Sequence, residues 1–126
     1  MRETGEDRRG DRWLAATGAV LAALAVALAA YAAHAASPEA QSRLQLAAVF
    51  AFGHGLALAA LAPRVRWKTG RVALWMLAAG VVLFSGSLVG HVFAAMPTTF
   101  APLGGMLMIA GWLLHAISAL RDQGDA

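Results

Sequence analysis

The chain has 126 residues, of which 60% are hydrophobic, 13% are charged and none is cysteine. Soluble domains average about 45–50% apolar and about 25% charged residues, so this composition indicates a membrane protein. It excludes a disordered chain, which needs low hydrophobicity and high net charge. The missing thiol excludes a disulfide framework, a zinc–thiolate site and a cysteine nucleophile.

Four long apolar runs, each close to the roughly 20 residues that a transmembrane helix requires, divide the chain. In chain order the predicted spans are 13–36, 44–62, 71–96 and 100–120, which leaves 1–12 and 121–126 as terminal tails. The prolines agree with these limits, because Pro38, Pro63 and Pro97 each follow a span and Pro102 lies in the first turn of the last one. The short connections predict an all-α integral membrane four-helix bundle with up-down-up-down topology.

The basic residues are distributed very unequally between the two sides of this bundle. Nine of the ten lysines and arginines precede the first span, separate the second from the third, or follow the fourth, whereas Arg43 alone lies on the other side. The positive-inside rule therefore predicts that both termini are cytoplasmic. Because these charges are juxtamembrane, the lipid bilayer accounts for the net charge of +3, and no nucleic-acid partner is expected.

The triplet Ala33-His34-Ala35 after the first apolar run has the form of a signal-peptidase site. The run itself has about 20 residues, which is longer than the roughly 7–15 of a signal peptide. We therefore expect the first helix to be retained.

Polar residues inside the spans are the lead to a function. All seven acidic residues lie outside the spans, which argues against a carboxylate-driven pump and excludes a carboxylate catalytic pair within the bilayer. The four histidines, one in each span, are His34, His54, His91 and His115. A rise of about 1.5 Å per residue puts them at different depths, so one metal cannot collect all four. His34 and His91 are weak candidates for a metal pair, and neither a metal nor another cofactor is expected.

A second group of polar residues is predicted in the outer half of the bundle. His54 and Ser87 lie at similar depths, so we predict a hydrogen bond from His54 to Ser85 or Ser87. Together with His34, these side chains form a candidate binding cluster. The alternative is that the same side chains only join helices to one another.

Small residues recur at helical spacing in the third and fourth spans and predict packed seams between helices. Gly86 and Gly90 form a G-x-x-x-G pair, and Trp112 lies near mid-bilayer, where its indole N–H needs a partner. The predicted helix-packing residues are Gly80, Gly86, Gly90, Gly104, Gly105, Gly111 and Trp112.

Several short motifs resemble a known family. They are Phe84-Ser85-Gly86-Ser87-Leu88, Pro102-Leu103-Gly104-Gly105, Gly111-Trp112, His54-Gly55-Leu56-Ala57-Leu58 and Ala33-His34-Ala35. Over about residues 13–120 the chain resembles the YgdD/YwdK-like family of small bacterial inner-membrane proteins, domain of unknown function number 423. It departs from the family at Phe50 and Ala51, where a tyrosine and a polar residue are usual, and the family does not require His91 or His115. The resemblance implies four helices and a bacterial inner membrane, and it brings no reaction.

The sequence thus favours a non-enzymatic, multi-pass inner-membrane protein that serves helix packing or association with itself or a membrane-protein partner. The alternative function is a binder or carrier of a small molecule, lipid or metal, acting through His34, His54, Ser85 and Ser87. An enzyme is not expected, because no nucleophile and base have a recognisable spacing.

Overall fold

The computed structural model describes residues 5–124, with side chains to residue 121. This part of the chain contains four α-helices and one 3-10 turn and no strand. The helices are α1 (Gly5–His34), α2 (Pro38–Leu61), α3 (Lys68–Ala94) and α4 (Phe100–Gly124), and the 3-10 turn is Ala62–Arg64. The predicted tail residues Arg2, Glu3 and Asp125 and the side chain of Asp122 lie outside the described part.

All four helices are long and apolar enough to cross a membrane. The predicted all-α four-helix membrane bundle is therefore confirmed. The helices extend past the apolar runs, since α1 begins at Gly5 and carries its acidic first turn ahead of the hydrophobic segment.

The helix ends follow the punctuation in the sequence. Ser37 caps α2 by accepting a hydrogen bond from the Ala40 N–H at 3.4 Å, and Pro38 occupies the first helical position, where its missing N–H costs nothing. The left-handed residue Ala95, with a φ of 51°, ends α3, and the Met96 N–H then donates to the Gly90 carbonyl at 3.2 Å.

Two helical hairpins form the bundle. α1 packs along α2, α3 packs along α4, and the contact between α2 and α3 joins the two hairpins. α1 and α4 form no helix–helix interface within residues 5–124. The central pair α2 and α3 therefore carries most of the burial, while α1 and α4 turn much of their surface outward.

The buried positions of the outer helices recur at heptad spacing. In α1 they include Gly18, Ala25 and Ala32, each seven residues from the next, and α4 buries Ala101, Gly104, Met108 and Gly111 at steps of three and four. This spacing keeps one narrow stripe of a helix facing its neighbour, and the small residues on the stripe let the backbones approach.

Each hairpin has a close backbone approach at a pair of glycines. A Cβ added to Gly18 would lie 2.5 Å from the Gly55 carbonyl oxygen, and one added to Gly104 would lie 2.6 Å from the Gly80 carbonyl oxygen. Gly111 also faces α3, since its Cβ would lie 3.0 Å from a methyl of Leu77. Backbone therefore meets backbone at both crossings, with no room for a methyl group.

Three other glycines lie elsewhere than the sequence prediction placed them. Gly86 and Gly105 do not pack within the chain, because a Cβ on either would meet no atom within 4 Å. Gly90 contacts Met96, which folds back over the end of α3, rather than another helix. The predicted packing role is wrong for these glycines within a single chain, because each faces away from the adjoining helix.

An ion pair joins the two hairpins at the end of the bundle that carries most of the basic residues. The Arg71 guanidinium donates to both carboxylate oxygens of Asp11, at 2.8 and 3.0 Å, and both side chains are only 12% exposed. A second carboxylate, that of Asp7, lies 3.5 Å from the same guanidinium. The extension of α1 beyond its apolar segment thus positions the acids that meet α3.

Candidate functional site

His54 lies in the C-terminal half of α2 and uses both ring nitrogens. Nδ1 lies 2.9 Å from the Phe50 carbonyl oxygen, and Nε2 lies 3.1 Å from Nε1 of Trp112 on α4. An indole nitrogen can only donate, so His54 Nε2 is the acceptor and the ring proton is on Nδ1. The two hydrogen bonds fix a neutral imidazole in one tautomer.

Aromatic rings surround this histidine and connect three helices. Phe50 stacks on His54 with ring centroids 5.9 Å apart, and it contacts Phe84 of α3 at 4.6 Å. On the other side Trp112 meets His115 edge to face at 6.0 Å. We call Phe50, His54, Phe84, Trp112 and His115 the aromatic cluster. Such ring pairs contribute about 0.5–1.5 kcal/mol each beyond the burial of their area.

The predicted hydrogen bond between His54 and a serine of α3 is wrong. The Ser85 hydroxyl donates to the Ala47 carbonyl of α2 at 2.8 Å, and the Ser87 hydroxyl is buried without a hydrogen-bond partner in the described structure. Counting residues placed His54 and Ser87 at similar depths. In the structure, however, the hydrogen bond to His54 Nε2 comes from the Trp112 indole on α4. Ser85 instead joins the central helices through a backbone carbonyl.

The remaining histidines do not complete a cluster. His34 is the exposed last residue of α1, and His91 Nδ1 donates to the Met96 carbonyl at 2.9 Å. No three His, Cys, Asp or Glu side chains among residues 5–121 are grouped so that they could hold a metal ion. No hydrogen bond joins any two of the predicted cluster residues His34, His54, Ser85 and Ser87 in this part of the chain.

The aromatic cluster is suited to holding helices together. A neutral His54 with both nitrogens engaged can neither bind a metal nor accept a proton without losing a hydrogen bond. Polar contacts of this kind between membrane helices contribute about 0.6 kcal/mol on average. The backbones of α2 and α4 do not pack closely against each other in the described part of the chain. The side chain of Trp112 therefore connects these two helices.

Two contacts were missed by the sequence analysis. The first is the contact between Gly18 of α1 and Gly55 of α2. The heptad spacing of small residues that begins at Gly18 is the signal that could have predicted it. Arg71 was counted only as a topogenic charge, although it lies on the same side of the membrane as Asp11.

A shallow groove runs along the outer surface of the first hairpin. It has a volume of about 720 Å³ and lies between α1 and α2. Its lining is apolar apart from one amide, and its residues are Ala25, Val26, Ala29, Gln45, Ala48, Val49, Phe52 and Gly53. The groove opens toward the lipid, since Val26 and Val49 are both largely exposed.

Four helices in two hairpins, each long and apolar enough to cross a membrane, define a multi-pass membrane protein in contact with the lipid bilayer. Residues 28–105 match the model of a family described as a protein of unknown function, DUF423. The chain belongs to this family.

Relatives of similar length carry the name UPF0382 membrane protein. One from Staphylococcus aureus is 32% identical over 120 residues, covering 85% of this chain and 94% of its own. One from Staphylococcus epidermidis is 32% identical over 123 residues with the same coverage, and one from Staphylococcus haemolyticus is 43% identical over 54 residues, covering 40% of this chain and 43% of its own. No solved structure matches the chain.

Proposed function

We propose that this is a non-enzymatic protein of the bacterial inner membrane that acts by lateral association, with a second copy of itself, through the groove between α1 and α2. The observation that carries the proposal is the groove itself, which has a volume of about 720 Å³ and a largely apolar lining that comes from α1 and α2.

The lining of the groove has the character of a membrane helix interface. Ala25, Ala29, Ala48 and Gly53 keep its floor low, so that an approaching helix can come close. Lipid tails are as apolar as the groove, so a helix is favoured there by the fit of its surface and by any polar contact rather than by a hydrophobic effect. The groove offers both a low floor and a polar group.

That polar group is Gln45. Its side chain is exposed and makes no hydrogen bond to any described part of the chain. An amide carries both donors and an acceptor, so Gln45 of one copy complements Gln45 of another across a twofold axis. A second copy is therefore the occupant that the chemistry of the groove favours.

The contacts of the interior support a role without chemistry of its own. His54 is hydrogen-bonded to Phe50 and Trp112, and Ser85 is hydrogen-bonded to Ala47. Because these hydrogen bonds occupy the polar atoms of His54 and Ser85, they argue against the alternative, a ligand site built from His34, His54, Ser85 and Ser87. The acidic residues of the sequence all lie outside the apolar segments.

Disulfide crosslinking tests the proposal cleanly, because the chain contains no cysteine. Val49→Cys places a single thiol in the groove, and the matched control Leu113→Cys places one on the outer surface of α4, with exposed fractions of 68% and 63% for the native residues. Under mild oxidation in native membranes, we expect Val49→Cys to give a crosslinked dimer and Leu113→Cys to remain monomeric. Adding Ala29→Trp to Val49→Cys fills the groove, and we expect it to abolish the dimer.

Three results would overturn this function. Equal crosslinking of the two single-cysteine variants shows random collision, and a dimer that survives Ala29→Trp shows contact outside the groove. Crosslinking of Val49→Cys to a different protein shows that the occupant is another membrane protein.

A further inference from the structure

A second cavity lies at the basic end of the bundle, away from the groove. It has a volume of about 160 Å³ and is enclosed by the connection between α2 and α3 and by the last turns of α4. Its polar lining is Arg64, Arg66, His115 and Ser118, and Gly70 in the first turn of α3 also lines it. The cavity is much smaller than the roughly 300–1,000 Å³ clefts that hold drug-sized ligands, so it suits one compact group.

The electrostatic character of the cavity is positive from two sources. Arg64 and Arg66 are exposed at its mouth, and no described carboxylate forms an ion pair with either. The first turn of α3, from Lys68, has no side-chain cap, so its N–H groups keep the partial positive charge of a helix N-terminus. Gly70 brings this turn to the cavity wall without a side chain of its own.

Ser118 gives an independent indication of a ligand. Its side chain is buried, with the residue only 7% exposed, and its hydroxyl makes no hydrogen bond to any described group although it lines the cavity. His115 also lines the cavity, and its Nδ1 is buried without a partner in the same part of the chain. Buried polar atoms are normally hydrogen-bonded, so the unpartnered Nδ1 of His115 is unusual. The Ser118 hydroxyl lies against the first turn of α3, with its oxygen 2.9 Å from where a Cβ on Gly70 would be.

We propose that this cavity binds an anionic phosphate group, supplied either by the headgroup of an anionic phospholipid or by free phosphate. Arg64 and Arg66 neutralise the charge, the Ser118 hydroxyl donates to a phosphate oxygen, and the N–H groups of the first turn of α3 face the anion. Basic pockets between membrane helices near the bilayer surface are suited to lipid headgroups. This site requires neither the groove nor self-association.

Native mass spectrometry of the full chain in detergent tests the site, with phosphatidylglycerol as the anionic probe and phosphatidylcholine as the zwitterionic one. We expect phosphatidylglycerol to bind and phosphatidylcholine to bind much more weakly. Competition by excess inorganic phosphate identifies the source, since displacement shows that free phosphate occupies the site and retention shows that the lipid is required. Binding of neither anion to the wild-type chain would overturn the proposal.

Variants separate a built site from general surface charge. Arg64→Gln with Arg66→Gln removes two charges at the cavity, and we expect about tenfold or more weaker binding of phosphatidylglycerol. Ser118→Ala removes no charge, and we expect it to weaken binding about threefold or more. The matched control, Arg8→Gln with Arg9→Gln, removes two charges from exposed positions of α1 and is expected to leave binding within about twofold. An equal loss in the control, or wild-type binding in both cavity variants, would show that no such site exists.

Discussion

Replacing Gly55 by alanine is expected to force α1 and α2 apart. The added Cβ would lie 2.6 Å from the Gly18 carbonyl oxygen and 2.9 Å from the Ala22 nitrogen, whereas ordinary contact begins at 3.4 Å. These two nearest atoms are backbone, so no rotation of a side chain can relieve the collision. The helices must separate by about 0.8 Å at the crossing, the difference between 3.4 and 2.6 Å.

A separation of this size has a calculable cost. A gap of about 0.5–1 Å forfeits roughly a quarter to a half of the dispersion attraction between facing atoms. Inserting a methyl into a filled interior typically costs about 1–3 kcal/mol. Alanine recovers about 0.5–1 kcal/mol through its higher helix propensity, so we expect a net loss of about 0.5–2 kcal/mol in the free energy of unfolding.

The control for this variant lies two residues away. A Cβ on Gly53 would meet no atom within 4 Å, so Gly53→Ala gains helix propensity without any collision. Both variants are compared with the wild-type chain by unfolding in mixed micelles with increasing dodecyl sulfate, followed by circular dichroism. If Gly55→Ala is as stable as Gly53→Ala, the backbone contact between α1 and α2 does not limit their approach.

Four further substitutions are measured in the same assay. Ser85→Ala is expected to cost about 1 kcal/mol because a buried hydrogen bond is lost, whereas Ser87→Ala, which removes an unpartnered buried hydroxyl, is expected to be neutral or stabilising. Equal losses in the two serine variants would contradict this. Ala95→Gly is expected to stabilise by about 0.5–1 kcal/mol, because the left-handed backbone penalises a Cβ, and a loss of stability would show that the strain is absent. Asp11→Asn is expected to cost about 1–3 kcal/mol because the Arg71 guanidinium loses the nearer of its two carboxylate partners and keeps only Asp7, and an unchanged midpoint would refute that.

The sequence predicted the helices because the relevant signals are local. Apolar run length and the positions of the prolines gave four membrane helices, and the spacing of small residues placed Gly80, Gly104 and Gly111 on facing stripes, where the structure has them. The same reasoning failed for Gly86, since a G-x-x-x-G pair says that two residues share a face and not which way that face points.

The candidate site was less predictable because it depends on helix rotation. Residue counting gives depth in the bilayer, which put His54 level with the serines, but the direction of a side chain around the helix axis is set by packing. The need of the Trp112 indole for a partner was visible in the sequence, whereas the identity of that partner required the fourth helix to be placed against the second. The cavity near Ser118 required three separate segments to meet, which no periodicity within one segment can reveal.

The pairing of neighbouring helices into two hairpins also constrains the order in which the chain folds. Contacts between helices adjacent in sequence form rapidly because little chain entropy is lost in closing a short connection. The Gly18–Gly55 crossing lies entirely within α1 and α2, so its formation requires neither α3 nor α4. The ion pair between Asp11 and Arg71 requires both hairpins, so we expect it to form only when the second hairpin packs against the first.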